Sequence, residues 1–175
     1  MEEVKYSGKI IEVVQEKHGN KVFETARRSP GVRALIIGDS KMLLSREWRN
    51  ETKNYDFRLP GGKIFDTLEE FRKHSNSDMV KFALDAVIKE VYEEVGLDAI
   101  KPKFIKISCA GATIKWDLYY FVIEEFSRNP RGQELEEGED ISYDWYTFDQ
   151  VKQFCLDGQI QEDRSVAVIL TYLLK

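Results

Sequence analysis

Between Met79 and Val95 the apolar residues Met79, Phe82, Ala83, Ala86, Val87, Val91 and Val95 mostly recur three or four positions apart, the spacing that gathers side chains on one face of an α-helix. Ser77-Asp78 supplies a cap before the run and Gly96 a stop after it. The spacing therefore predicts a helix over 79–95 whose apolar face must be buried against another element. The segments around it are rich in β-forming residues. Gly8 to Gln15 and Lys21 to Ala26 flank the turn-like Lys17-His18-Gly19-Asn20 and predict an N-terminal hairpin, and Val32 to Ile37 and Met42 to Trp48 flank Gly38-Asp39-Ser40-Lys41 and predict a second. Lys103 to Ser108 and Ile114 to Glu124 read as further strands. Thr147-Phe148-Asp149-Gln150 is a capping-box pattern for a helix ending near Gly158, and Asp163 is read as the cap of a last helix through Leu174. This order of strands, helix, strands and helices predicts a mixed α/β or α+β sandwich.

At 175 residues the chain is expected to form one domain, 1–175, with its own core. Hydrophobic residues at 42% and charged residues at 33% give a globular balance rather than a disordered one. No apolar run approaches the ~18–20 residues that cross a bilayer, and the start Met1-Glu2-Glu3-Val4-Lys5 has no signal-peptide pattern. Cys109 and Cys155 lack metal-ligand spacing and read as buried thiols of a reducing compartment, so the cytoplasm is expected. A net charge of −5 offers duplex nucleic acid no broad basic surface.

The chemistry is concentrated in Lys89-Glu90-Val91-Tyr92-Glu93-Glu94-Val95-Gly96-Leu97. On a helix, Glu90, Glu93 and Glu94 stand at i, i+3 and i+4 and share a face. Like charges so close repel by a few tenths of a kcal/mol per pair, which a hard cation such as Mg²⁺ would offset. A solvated acidic face is the simpler reading of the helix alone. Upstream, Leu59-Pro60-Gly61-Gly62-Lys63 makes a tight glycine turn whose backbone can approach a metal or a phosphate.

Together these segments resemble the signature of the Nudix hydrolases: a glycine, a glutamate further on, then Arg-Glu, an aliphatic residue, a Glu-Glu pair, a glycine and an aliphatic residue. Gly62 matches the first glycine, and Glu90, Val91, Glu93, Glu94, Gly96 and Leu97 match the second half. Lys89 stands in place of the signature arginine and keeps its charge without the planar fork. Positions 63–88 separate Gly62 from Lys89, more than the signature places there, so 66–78 reads as an insertion, expected as a short helix and loop bordering the site. Leu68 falls where the signature has its first glutamate, with Glu69 and Glu70 as substitutes.

Within the family the chain looks most like the ADP-ribose pyrophosphatase branch, which implies an α/β/α sandwich with a mixed sheet and an N-terminal hairpin arm, 1–28. The resemblance further implies hydrolysis of a nucleoside diphosphate derivative, ADP-ribose first, to AMP and ribose 5-phosphate, with Mg²⁺ or Mn²⁺ as cofactor. It makes Glu90, Glu94, the Gly61 carbonyl and Glu139 metal ligands, with Glu93 a further ligand or an acceptor behind them. Glu137 becomes the candidate general base, and Lys89 belongs to the catalytic group. Phe23-Glu24-Thr25-Ala26-Arg27-Arg28 looks like the branch's second N-terminal strand, from which Phe23, Glu24 and Arg28 would meet the substrate along with Arg49 and Gly62. A homodimer with exchanged arms is expected, Phe23 or Arg28 reaching the partner's substrate. The alternatives are a Nudix hydrolase of another nucleotide and a sensor that binds a nucleotide sugar without cleaving it. Such a sensor would usually have lost the signature glutamates, and here Glu90, Glu93 and Glu94 all remain.

Overall fold

The structure is a computed structural model that describes residues 2–50, 52–75 and 77–174. Met1 and Lys175 of the expected domain, and Asn76 of the expected insertion, lie outside the described residues.

The central layer is a six-stranded mixed sheet. It contains β4 (Gly31–Gly38), β5 (Lys41–Arg49), β6 (Asn54–Arg58), β8 (Lys103–Ser108), β10 (Leu118–Ile123) and β12 (Ile141–Thr147). Their order is β12-β5-β4-β10-β8, with β6 also paired to β5, and β10 runs parallel to β4 with Leu118 opposite Gly31. β4 reads Val32-Arg33-Ala34-Leu35-Ile36-Ile37 because both of its faces are covered, the usual cause of an almost unbroken apolar strand. On one face, Val32, Ala34 and Ile36 pack with Tyr119, Phe121 and Ile123 against Ala83, Val87, Val91 and Val95 of α2 (Met79–Val95). On the other, Leu35, Leu118 and Tyr120 pack against α3 (Phe148–Leu156) and α4 (Asp163–Leu173) through Val151, Val168 and Ile169. The result is the expected α/β/α sandwich.

The helix over 79–95 forms as its spacing predicts, with Asp78 capping the Val80 N–H and Gly96 ending it. The Thr147 capping box opens α3. At α4 the cap is Glu162 rather than Asp163, and its side chain makes no capping bond because Arg33 holds it.

The N-terminal arm is larger than a hairpin. β1 (Glu2–Ser7), β2 (Ile11–His18) and β3 (Lys21–Arg28) form a meander, to which β9 (Ile114–Lys115) adds in parallel at Ala26 and Arg27. β1 gave no sequence signal because all six of its residues are exposed, leaving no buried face to impose alternation. The strand expected over Ile114 to Glu124 is divided between two sheets. Its start joins the arm and its remainder joins the central sheet, with Trp116 and Asp117 between. A small ribbon of β7 (Leu97–Ile100) and β11 (Glu125–Arg128) completes the strands. Among the described residues no helix is long and apolar enough to cross a membrane.

Candidate active site

The glycine turn is fastened along β4 by three backbone bonds: Ala34 N–H to Pro60 O, Val32 N–H to Gly62 O and Ile64 N–H to Pro30 O, each 2.9 Å. Gly61 has φ 146°, and a Cβ there would lie 2.2 Å from the Val32 carbonyl oxygen. At Gly62 a Cβ would lie 2.2 Å from Oε1 of Glu90. Both positions need glycine because the turn runs in contact with the strand beneath it and the carboxylates beside it.

Facing the turn, the last two turns of α2 bring up the signature glutamates. Glu94, 9% exposed, accepts the Gly61 N–H at 2.8 Å. Burial first, and then the neighbouring Glu90 carboxylate, push its carboxyl up to about 8 against the pull of that N–H and of Arg33. Glu90 is likewise raised by burial to about 7, with Glu93 and Glu139 adding to the rise and Lys89 opposing it. Glu93 accepts the Lys89 ammonium at 2.8 Å, and this contact is the largest cause of the raised lysine pKa. The glutamates that could substitute for the signature's first glutamate are engaged elsewhere. Glu69 pairs with Lys73, and Glu70 closes a capping box with Thr67 at the start of α1 (Leu68–Lys73).

These groups line a cleft of about 500 Å³ with Arg28, Arg33, Glu47, Arg49, Arg58 and Trp116. Gly61, Gly62, Lys89, Glu90, Glu93, Glu94 and Glu139 are all on its wall. Glu137 is not. Residues 136–139 close a turn in which the Glu139 N–H reaches the Glu136 carbonyl at 3.1 Å and the Glu139 carboxylate accepts the Glu136 N–H at 2.9 Å. That turn brings Glu136 and Glu139 to the cleft and leaves Glu137 exposed at its tip, outside the lining.

Phe23 and Glu24 also lie outside this cleft. Phe23 is 53% exposed and rests edge-on against His18, and Glu24 accepts from Gln15. Arg28 lies on the cleft of its own chain, over the ring of Trp116 at 4.5 Å, with Arg164 at 4.3 Å from the same ring. Arg49 bonds Glu47 at 2.8 Å.

Several lining residues had escaped the sequence reading. Arg33 is 5% exposed and forms a two-bond pair with Glu162, at 2.8 and 2.9 Å. Its signal was available: one arginine within the apolar run of a central strand. Arg58, immediately before Leu-Pro-Gly-Gly, contacts both Glu47 and Glu162. Trp116 carried no signal, because only the split between β9 and β10 turns it to the cleft.

A model of the NUDIX domain matches residues 27–167. The chain belongs to the Nudix family. Among solved structures, the crystal structure of an ADP compounds hydrolase shares the fold with a TM-score of 0.68 at 19% identity, covering 99% of this chain and 91% of that one. No curated protein matches. Nudix hydrolases generally use divalent metal ions, and the buried Glu94 and half-buried Glu90 facing a glycine turn are a donor set that suits a hard cation. Among the described residues no three acidic, histidine or cysteine side chains converge into a ready-made metal cage, since Lys89 holds Glu93 and the 136–139 turn holds Glu139.

Proposed function

We propose that this Nudix protein hydrolyses the pyrophosphate bond of a nucleoside diphosphate derivative, ADP-ribose first, with Mg²⁺ or Mn²⁺ held by Glu90, Glu94 and the Gly61 carbonyl and completed by Glu139. The observation that carries this reading is the packing of Glu90 and Glu94 against the glycine turn, where Glu94 accepts the Gly61 N–H at 2.8 Å and Glu90 stands against Gly62, a crowding of carboxylates that a hard cation would offset. The bound ion supplies charge neutralisation at the diphosphate and acidifies a water molecule. Arg28 and Arg49 bind phosphate oxygens by charge-assisted bonds. Glu93, whose Oε2 is taken by Lys89, offers Oε1 to receive the proton of the attacking water, a role that the position of Glu137 does not suit. The water oxygen bonds to one phosphorus, the bridging P–O bond breaks, and two phosphate monoesters leave.

Incubating the purified protein with ADP-ribose, nucleotide sugars, dinucleotides and nucleoside triphosphates, with and without Mg²⁺, tests this reading. ADP-ribose is expected to give AMP and ribose 5-phosphate only when metal is present; no cleavage of any diphosphate would refute it. Retention of the glutamates favours hydrolysis over simple binding, and two free thiols, Cys155 buried as expected and Cys109 exposed rather than buried, fit a cytoplasmic setting.

The arm supports a homodimer. Val4 and Phe23 on one face of its sheet, and Tyr6, Val22 and Ile114 on the other, leave exposed apolar side chains that a second copy exchanging arms would cover. Light scattering at assay concentration is expected to give twice the chain mass, and Phe23→Asp is expected to give the monomer. A wild-type monomer would rule out the exchanged-arm dimer.

A further inference from the structure

The arginines of the glutamate cleft differ in what holds them. Arg33 pairs with Glu162, Arg49 with Glu47, and Arg58 with both of those carboxylates. Arg28 lines the same cleft, and among the described residues it has no carboxylate partner. It lies instead over the ring of Trp116, its guanidinium carbon 4.5 Å from the ring centroid. The Nε of Arg28 is buried and has no hydrogen-bond partner, a donor that costs free energy until an acceptor reaches it. Burial first, and then the charges of Arg33 and Arg164, lower its pKa, so the guanidinium is a destabilised cation until an anion arrives.

Strand register brings Arg28 to Trp116. β9 lies parallel to β3 with Ala26 opposite Ile114 and Arg27 opposite Lys115. Arg28 and Trp116 are the next residues along each chain. Both chains then leave the arm for the central sheet, where Gly31 lies opposite Leu118 and donates its N–H to the Asp117 carbonyl at 2.9 Å. The indole is fixed in turn from α4. Arg164 lies over the same ring at 4.3 Å and donates to the Trp116 carbonyl at 2.6 Å and to the Ser108 carbonyl at 3.5 Å, so one side chain holds both the ring and its backbone. An aromatic face attracts a guanidinium through its quadrupole and leaves the N–H groups at the guanidinium edge open. A carboxylate in that place would take those N–H groups and compete for them with phosphate oxygens.

We propose that Trp116 is a positioning residue for substrate binding: its ring holds the Arg28 guanidinium at the cleft with its donors open to the oxygens of the diphosphate, and Arg164 fixes the ring. The assignment rests on the hydrolase reading, in which Arg28 binds a phosphate. The indole acts through Arg28 and not by stacking on a ring of the substrate.

The probe is ADP-ribose with its bridging oxygen replaced by a methylene group, which resists cleavage at that position, and calorimetry with Mg²⁺ reads its Kd without turnover. Trp116→Leu is expected to weaken binding about tenfold, and Trp116→Phe, which keeps an aromatic face, to stay within about threefold of wild type. Arg28→Ala is expected to weaken binding at least as much as Trp116→Leu. In the Arg28→Ala background, Trp116→Leu is expected to cost nothing further, because the two residues act as one unit. Losses that multiply in the double variant overturn the proposal, since the indole would then touch the substrate directly or act through the fold at large. Wild-type affinity in either single variant, or Trp116→Phe as weak as Trp116→Leu, does the same. If circular dichroism shows Trp116→Leu unfolded, the cycle is run with Trp116→Met, whose flexible apolar chain fills the space without a ring. The expected coupling without cleavage of ADP-ribose itself upholds the positioning role and overturns the hydrolase reading. Cleavage without the coupling does the reverse, and no binding of the analogue by wild type overturns both.

Discussion

Glu94→Gln is expected to lower turnover by roughly 10²–10⁴-fold while the protein remains folded. Glutamine keeps the side chain's length and an oxygen able to accept the Gly61 N–H, now bonded at 2.8 Å, so the glycine turn keeps its anchor. The loss is one negative charge beside Glu90 where the cation is proposed to bind. Two further readouts separate this from a packing defect. In metal-free buffer near pH 7 the variant is expected to melt a few degrees higher than wild type, because folding raises the Glu94 carboxyl from 4.5 to about 8 and so must take up a proton there, a cost that glutamine removes. Adding Mg²⁺ is expected to raise the melting temperature of wild type more than that of the variant, since only binding to the folded state stabilises it. Wild-type turnover in Glu94→Gln at saturating Mg²⁺ would refute the metal assignment.

The second large effect is on stability, at the Arg33–Glu162 pair. Glu162→Gln leaves the Arg33 guanidinium, 5% exposed, without its counter-charge, and breaking such a buried pair costs about 3–5 kcal/mol. Burial by itself would raise the Glu162 carboxyl. The charge and hydrogen bonds of Arg33, aided by Ser165 and Arg58, outweigh it and hold the group down to about 2. An unfolded glutamate titrates near 4.5. The stabilisation is therefore complete above pH 4.5 and fades as the pH falls towards 2. Thermal melts are expected to place the variant on the order of 10 °C below wild type at pH 7, with the gap narrowing through pH 4.5–2. A gap independent of pH would mean that shape, not charge, holds the pair together. The damage is expected to reach the site as well, because Arg33 lies between Val32 and Ala34, whose N–H groups hold the glycine turn.

The consequences of these two substitutions come from different levels of the chain. The place of Glu94 beside Glu90 and Glu93 was legible because helical periodicity is local: once 79–95 is a helix, the three must share a face whatever surrounds them, while only the family resemblance suggested a role for that face. Gly61 and Gly62 were legible because few residues other than glycine tolerate such a turn, and Thr147 because a capping box lies within four residues. These patterns, and the sandwich they imply, are fixed by short-range geometry.

Tertiary structure alone decided the rest, through contacts between residues far apart in sequence. It paired Arg33 with Glu162, 129 positions away, and so drew the α4 cap from Asp163 to Glu162. It split the expected 114–124 strand between two sheets, which turned Trp116 into the cleft beside Arg28. The 136–139 turn presented Glu136 and Glu139 rather than Glu137, a choice made by one backbone bond and one side-chain bond that no spacing rule anticipates. The segment at 66–78 announced itself only as extra length, and the place of α1 against the arm follows from the buried Glu12 that Arg27 and Arg72 share. Local sequence sets which backbone conformations and helix faces are available, whereas a charge buried by folding takes whatever partner the packed topology brings within reach.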